Sequence, residues 1–144
     1  MSTLHVICKI ADAEYALAAQ DVLQMESYTG STPIPGAPPY IAGLVQIRQQ
    51  IIGVVDMRVR LGLPATPPTL ESRVIVLKLG ERLVGFLVDA AREVQNIAPD
   101  QLREPPAVIT RQSEGFIKAI AQLKNRIILL LDTVKVLGEG TAHV

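Results

Sequence analysis

Tryptophan is absent from this chain of 144 residues, and the aromatics together make up 3%. Hydrophobic residues are nevertheless 49%, so any sizeable core must be aliphatic. Charge of either sign is not in excess: Lys+Arg and Asp+Glu are 14 each, for a net +0. A barrel binding single-stranded nucleic acid needs aromatic platforms in a basic groove, and both are in short supply. No nucleic-acid partner is expected, and a nucleic-acid-binding barrel is kept only as an alternative function. The only cysteine is Cys8, which excludes an internal disulfide. It lies in an apolar run and reads as a buried, inert thiol in a reducing cytoplasm. Of the two histidines, His5 sits in an alternating apolar stretch and His143 in the tail. Neither has the setting of a base or a ligand. Metal-ligand spacing, a phosphate-binding GxxxxGK[ST] loop and GxGxxG are all missing. No nucleophile–base pair stands out. The chain is therefore not expected to be an enzyme or to hold a cofactor or metal. The longest aliphatic run, Ile127–Leu131, is strand-sized, and no signal-peptide pattern opens the chain. The expectation is a cytoplasmic protein.

What is present is a repeat. Tyr40–Gly62 (YIAGLVQIRQQIIGVVDMRVRLG) recurs without a gap as Phe116–Gly138 (FIKAIAQLKNRIILLLDTVKVLG). Ile41, Gln46, Ile51, Ile52, Asp56, Leu61 and Gly62 reappear as Ile117, Gln122, Ile127, Ile128, Asp132, Leu137 and Gly138. Tyr40/Phe116, Leu44/Ile120, Ile47/Leu123 and Arg48/Lys124 keep their class. Two copies in so short a chain predict two similar subdomains rather than a solenoid. Each copy reads as a strand (Leu44–Arg48), a polar turn (Gln49, Gln50), a second strand (Ile51–Val55) and one helical turn. Asp56 and Asp132 stand where N-caps belong, and Gly62 and Gly138 where helices stop. Alternation puts Val45 and Ile47 on the core face and Leu44, Gln46 and Arg48 on the other.

Elsewhere the pattern is of short strands between turns. Leu4–Ile10 and Glu14–Ala18 form a hairpin. Val22–Tyr28 carries Val22, Gln24 and Glu26 on one face and Leu23, Met25 and Ser27 on the other. The stretch Thr29–Pro39 holds two Gly and four Pro in eleven residues and cannot continue a ladder. Leu63–Ser72 is a second Pro-rich connector, read as the link between lobes. Arg73–Leu79 and Arg82–Val88 flank a Gly80-Glu81 turn, and Asp89–Ile97 follows as a turn and strand. Pro99–Gln101 starts a helical turn, and the tail beyond Gly138 reads as frayed. Short strands at this spacing predict an all-β barrel or sandwich with little helix.

The segments PIPGAPPYIAGLVQIR (Pro33–Arg48), IIGVVDMRVRLGL (Ile51–Leu63), LVGFLVDAAREVQNI (Leu83–Ile97) and GFIKAIAQLKNRIILLLDTVKVL (Gly115–Leu137) together resemble the CheW family. The family pattern is P-x-P-G-A-P-x-x-I-x-G-x-x-N-L-R-G-x-x-x-P-V-x-D-L-R-x-x-L-G. It is specific as an ensemble, and the likeness covers nearly the whole chain. The resemblance implies two small five-stranded SH3-like β-barrels side by side, with a few short helical turns. On this chain that gives a single domain, 1–144, with lobes of about 1–66 and 67–144 and strand exchange between them. It also implies an adaptor without catalysis. Its partners would be the cytoplasmic tip of a methyl-accepting chemoreceptor and the regulatory domain of a CheA-type histidine kinase. Membranes would be met only through receptors, and weak self-association is in keeping.

Arg48 is the family arginine, whereas the flanking Asn and Gly are Gln46 and Gln49. The family proline is Gly53, and a glutamate usual in the third strand aligns with Gln24, two residues before Glu26. Arg48 reads either as a solvated charge at a strand end or as an interface anchor, for which Arg is favoured. The candidate partner surface is thus Arg48, Gln46, Leu44, Gln24, Glu26 and Gln49. The departures fall on this surface, so a scaffold in a non-chemotactic pathway is the alternative within the family.

Overall fold

The computed structural model describes residues Ser2–Gly138. His143 and the tail read as frayed lie outside them. Eleven strands and three short helices follow in the order β1 (Thr3–Ile10), β2 (Ala13–Ala18), β3 (Val22–Ser27), β4 (Ile41–Ile47), β5 (Gln50–Asp56), α1 (Met57–Arg60), β6 (Arg73–Leu79), β7 (Arg82–Val88), β8 (Ala90–Ile97), β9 (Leu102–Arg103), α2 (Ala107–Gln112), β10 (Ile117–Leu123), β11 (Arg126–Leu131) and α3 (Thr133–Leu137). Single 3₁₀ turns occupy Ala19–Asp21 and Pro99–Gln101.

The strands form two sheets, ordered β3-β6-β7-β5-β4 and β8-β1-β2-β11-β10-β9. These orders share one five-strand design, to which the second sheet adds β9 beyond β10. A hairpin (β6–β7, or β1–β2) is flanked by an edge strand (β3, or β8) and by the repeat hairpin (β5–β4, or β11–β10). The parallel contact falls at the same place, β5 on β7 and β11 on β2. A ladder irregularity also recurs in the two copies, at Ile41/Gly43 and Ile117/Ala119. In sequence, however, each sheet takes its central hairpin from the other half of the chain. Residues 22–56 and 73–88 make one sheet, and residues 3–18 with 90–131 the other. A split at residue 66 therefore runs through the first of these sheets. The Leu63–Ser72 connector does not link the lobes, because β5 and β6 belong to one sheet. The chain crosses at the 3₁₀ turn after β2 and at Asp89, the single residue between β7 and β8.

Each sheet curls round a small aliphatic core. In the first lobe this is Ile52, Val54, Val74 and Val76, with Val45, Ile47, Tyr28 and Leu87 against them. In the second it is Ile7, Ala16, Ile97, Ala121, Ile128 and Leu130. The largest core lies between the lobes, where Val6, Cys8 and Ile10 of β1 meet Ile75 and Leu77 of β6 and Phe86 of β7. The exchanged hairpins are thus buried on both faces. For that reason β1 and β6 read as near-continuous apolar runs, whereas β3 alternates cleanly. Val55, at 1% exposure, belongs to the inter-lobe core, and Leu130, at 3%, to the second barrel. Burying each such aliphatic side chain contributes roughly 1.5–3 kcal/mol.

The crossing at Asp89 is held by a compact polar cluster. Its N–H donates to the Lys9 carbonyl at 2.9 Å, and its carboxylate accepts from the Ala11 N–H at 2.6 Å. Arg58 of α1 donates to both carboxylate oxygens through Nε at 3.0 Å and reaches Oδ2 through Nη2 at 2.8 Å. The hydrogen bond to Asp89 is the main reason the Arg58 guanidinium is held above its ordinary pKa. Cys8 packs below, fully buried. Burial, then the nearby Asp89 charge, push its thiol from 9.0 up to about 12.

Candidate functional site

The β4–β5 hairpin turns on two residues, since Ile47 pairs with Gln50. Those residues are Arg48 and Gln49, with φ of 50° and 69°. Positive φ at both marks the primed turn whose twist matches that of the strands. The polarity of the sequence points one residue later, to Gln49-Gln50. Gln50 is in fact the first residue of β5, and Arg48 lies beyond β4. Arg48 therefore does not share a strand face with Leu44 and Gln46. It projects from the turn, exposed, and has no ion pair or side-chain hydrogen bond among the described residues.

Beneath the turn, the two edge strands of the lobe, β3 and β4, face each other without pairing along their length. One end of the gap is closed. Thr32 bridges Leu44 through backbone hydrogen bonds of 2.9 and 2.8 Å. Tyr28 Oη meets Ser31 Oγ at 2.8 Å, and Ser31 donates to the Ala42 carbonyl at 2.8 Å. Gly43 is needed there, because a side chain would run into the Thr32 carbonyl. The other end splays into a cleft of about 590 Å³ lined by Glu26, Leu44, Gln46 and Arg48. Four of the six candidate residues thus converge. Gln24 reaches the group only through Glu26, whose Oε2 accepts from its Nε2 at 2.9 Å. Glu26 is in this way bonded to Gln24 and not to Arg48. Gln49 stays at the turn.

The second copy displays the same surface. Its hairpin closes at Leu123 and Arg126, leaving Lys124-Asn125 as the turn. In both copies a glutamine stands directly opposite an isoleucine, Gln46 with Ile51 and Gln122 with Ile127. Both isoleucines are solvent-exposed, at 71% and 62%. Sequence reasoning missed them by treating them as strand interior. The register signals them: cross-strand partners share a face, and Gln46 was assigned outward. The copies differ at the next position. Gln50 is exposed, whereas Arg126 binds Glu14 through paired hydrogen bonds at 3.0 and 2.9 Å and Glu93 at 2.7 Å.

A further apolar feature also escaped the sequence. Leu4 continues the face of β1 that carries Val6 and Cys8 into the inter-lobe core, and Val94 pairs with Val6. Met25 pairs with Ile75, which faces the same core, and Leu23 shares its side of β3. All four are exposed, at 49%, 55%, 44% and 55% for Leu4, Val94, Met25 and Leu23. They lie where the inter-lobe core runs out along β1 and the edge strands β3 and β8, an uncovered aliphatic strip at the seam.

The two capping aspartates sit away from these surfaces. Asp56 Oδ1 accepts from the N–H groups of Arg58 and Val59 at 3.0 and 3.4 Å, and Asp132 Oδ1 from that of Lys135 at 3.1 Å. Among the described residues no helix is long and apolar enough to cross a membrane.

Fold and surfaces together define a two-lobed β-barrel binding module, duplicated within one chain. The CheW-like domain model matches residues 5–140, and the chain belongs to that family. It is 29% identical over 138 residues to the chemotaxis protein CheW of Bacillus subtilis, covering 96% of this chain and 88% of that protein. To the CheW of Thermotoga maritima it is 31% identical over 113 residues, covering 76% and 71%. The crystal structure of scaffolding protein TtCheW from Thermoanaerobacter tengcongensis superposes with a TM-score of 0.88 at 26% identity, covering 100% of this chain and 98% of that one.

Proposed function

We propose that this protein is a non-catalytic adaptor of the cytoplasm that couples a chemoreceptor tip to a CheA-type histidine kinase. The observation that carries the reading is the exposed aliphatic strip at the seam. Leu4, Leu23, Met25 and Val94 prolong a buried core into solvent, which suits the apolar face of a receptor helix. The hairpin tips carry the second half of the proposal. A kinase regulatory domain that is itself CheW-like would meet a cation, a glutamine and an exposed isoleucine on either lobe. Weak self-association follows from the same surface, as the second copy offers what the first one contacts.

Titration calorimetry with a receptor-tip helical hairpin and with the kinase regulatory domain tests both halves. Leu23→Asp should abolish the first interaction and spare the second. If neither partner binds the wild-type protein, the adaptor reading fails. Of the departures, Gln46 lines the β3–β4 cleft, Gln49 stands at its turn and Gln24 is tied in through Glu26. This favours a dedicated receptor–kinase pair, and so the alternative of a separate signalling pathway within the same adaptor class.

A further inference from the structure

Helix α1 is a single turn belonging to the first lobe, yet both its arginines reach out of that lobe. Arg58 goes to Asp89 at the chain crossing. Arg60 goes to the second copy of the repeat. Its Nε donates to the Val136 carbonyl at 2.7 Å and its Nη2 to that of Lys135 at 3.5 Å, near the C-terminal end of α3. Carbonyls there lack partners within the helix and favour a cation. The guanidinium also lies over two rings, 4.0 Å from the centroid of Tyr40 and 4.6 Å from that of Phe116. Tyr40 and Phe116 are the same position in the two copies, one ahead of β4 and one ahead of β10. One cation is thus held by the equivalent aromatic of each copy. The space is kept open by Gly138, where a side chain would collide with Arg60 Nη2.

The position of this contact matters. Tyr40 and Phe116 precede β4 and β10, whereas the aliphatic strip lies on β1, β3 and β8, and none of its residues lines the pocket around Arg60. The seam is thus pinned at one place, by Arg60, and apolar and uncovered at another. We propose that Arg60 is the hinge pin of the molecule. It sets the angle between the lobes, and a helix entering the aliphatic strip turns the lobes about it, altering the spacing of the two hairpin tips. The helix as occupant rests on the adaptor reading; the pin does not. Arg60 is a positioning residue: it touches neither proposed partner surface. Lysine cannot replace it, since only the flat guanidinium stacks between two rings while donating in two directions.

Spin labels at Ile51→Cys and Ile127→Cys report the spacing of the tips by double electron–electron resonance. Cys8 can stay, being fully buried. In the free protein a single narrow distance is expected. Arg60→Ala should at least double its width, with circular dichroism and label pairs within one lobe unchanged. Arg60→Lys, which keeps charge and fold, should broaden it to an intermediate degree and decides the matter if Arg60→Ala does not fold. Adding the receptor-tip hairpin should shift the wild-type distance and leave the Arg60→Ala distribution broad. Equal widths in wild type and variants overturn the pin. Binding of the hairpin without a shift overturns the lever. Failure of the hairpin to bind wild type counts against the adaptor reading instead, while the widths in the free protein still decide the pin.

Discussion

Arg48 has its charge in solvent, its backbone at φ 50° and no partner within the described residues, so little of the fold depends on it. Arg48→Glu should leave stability within about 0.5 kcal/mol of wild type, as surface changes usually do. Binding to the kinase regulatory domain should weaken by about 2 kcal/mol, the size of an interface hot spot. Lys124→Glu, at the matching tip, should lose less, because the family motif belongs to the first copy. Thermal unfolding and calorimetry on both variants check this, and equal negligible losses would move the contact surface elsewhere. Cys8 is the opposite kind of residue, wholly dependent on its surroundings. Its folded pKa is raised to about 12, so the unfolded chain gives up the proton first as pH rises. Its contribution is therefore intact below about pH 9 and declines as pH climbs toward 12. Denaturant melts from pH 8 to 11 should show this loss, and Cys8→Val should reduce the slope. An unchanged slope would mean the thiol titrates normally.

Among the elements, the β4–β5 hairpin takes a shape that its turn residues do not favour. Two successive positive-φ residues suit Asn-Gly, yet the turn is Arg48-Gln49. Holding an L-residue in the left-handed region costs roughly 1–2 kcal/mol. Gln49→Gly should therefore stabilise the protein by about 1 kcal/mol in chemical denaturation while leaving the hairpin register unchanged. A destabilised variant would show that Gln49 makes a compensating contact in solution. The one-residue error in locating this turn has a physical source. In QIRQQII the polarity pattern marks Gln49-Gln50 as the break, but register is set by which isoleucine must enter the barrel. Ile52 is buried at 2% and Ile51 is exposed at 71%, so the strand has to begin at Gln50. The stretch Val108–Gln112, which reads from sequence as a segment leading by a Ser113–Gly115 turn into the second copy, is the helix α2, Ala107–Gln112; it follows Pro105-Pro106 and has no strong period to mark it.

At the scale of the whole molecule, the exchanged hairpins make each half of the chain dependent on the other. Residues 1–66 hold β1 and β2 without their sheet, and β3, β4 and β5 without the centre of theirs. Fragments 1–66 and 67–144 should each be unfolded alone, and an equimolar mixture should recover native circular dichroism. A well-folded isolated 1–66 would refute the exchange. By contrast, residues 22–88 contain all five strands of one sheet, but alone they would expose half of the inter-lobe core.

The duplication, the caps, the family and most of the strands are legible in the sequence, because these are written in local alternation, turn chemistry and a self-alignment that needs no third dimension. Asp56 and Asp132 find their N–H groups within three residues, so their hydrogen bonds could be anticipated from position alone. Only the tertiary structure decided which hairpin completes which sheet, since β1–β2 and β6–β7 are alike in pattern and either sheet could accept either. Nor could Arg60 be distinguished from any other surface arginine. Its two rings and two carbonyls come from segments some 20 and 56 to 76 residues away and converge only once the lobes have packed. The exposed strip has the same origin. Leu4 and Met25 obey the pattern of buried strand residues, and they stay in solvent because the core they belong to ends one strand too soon.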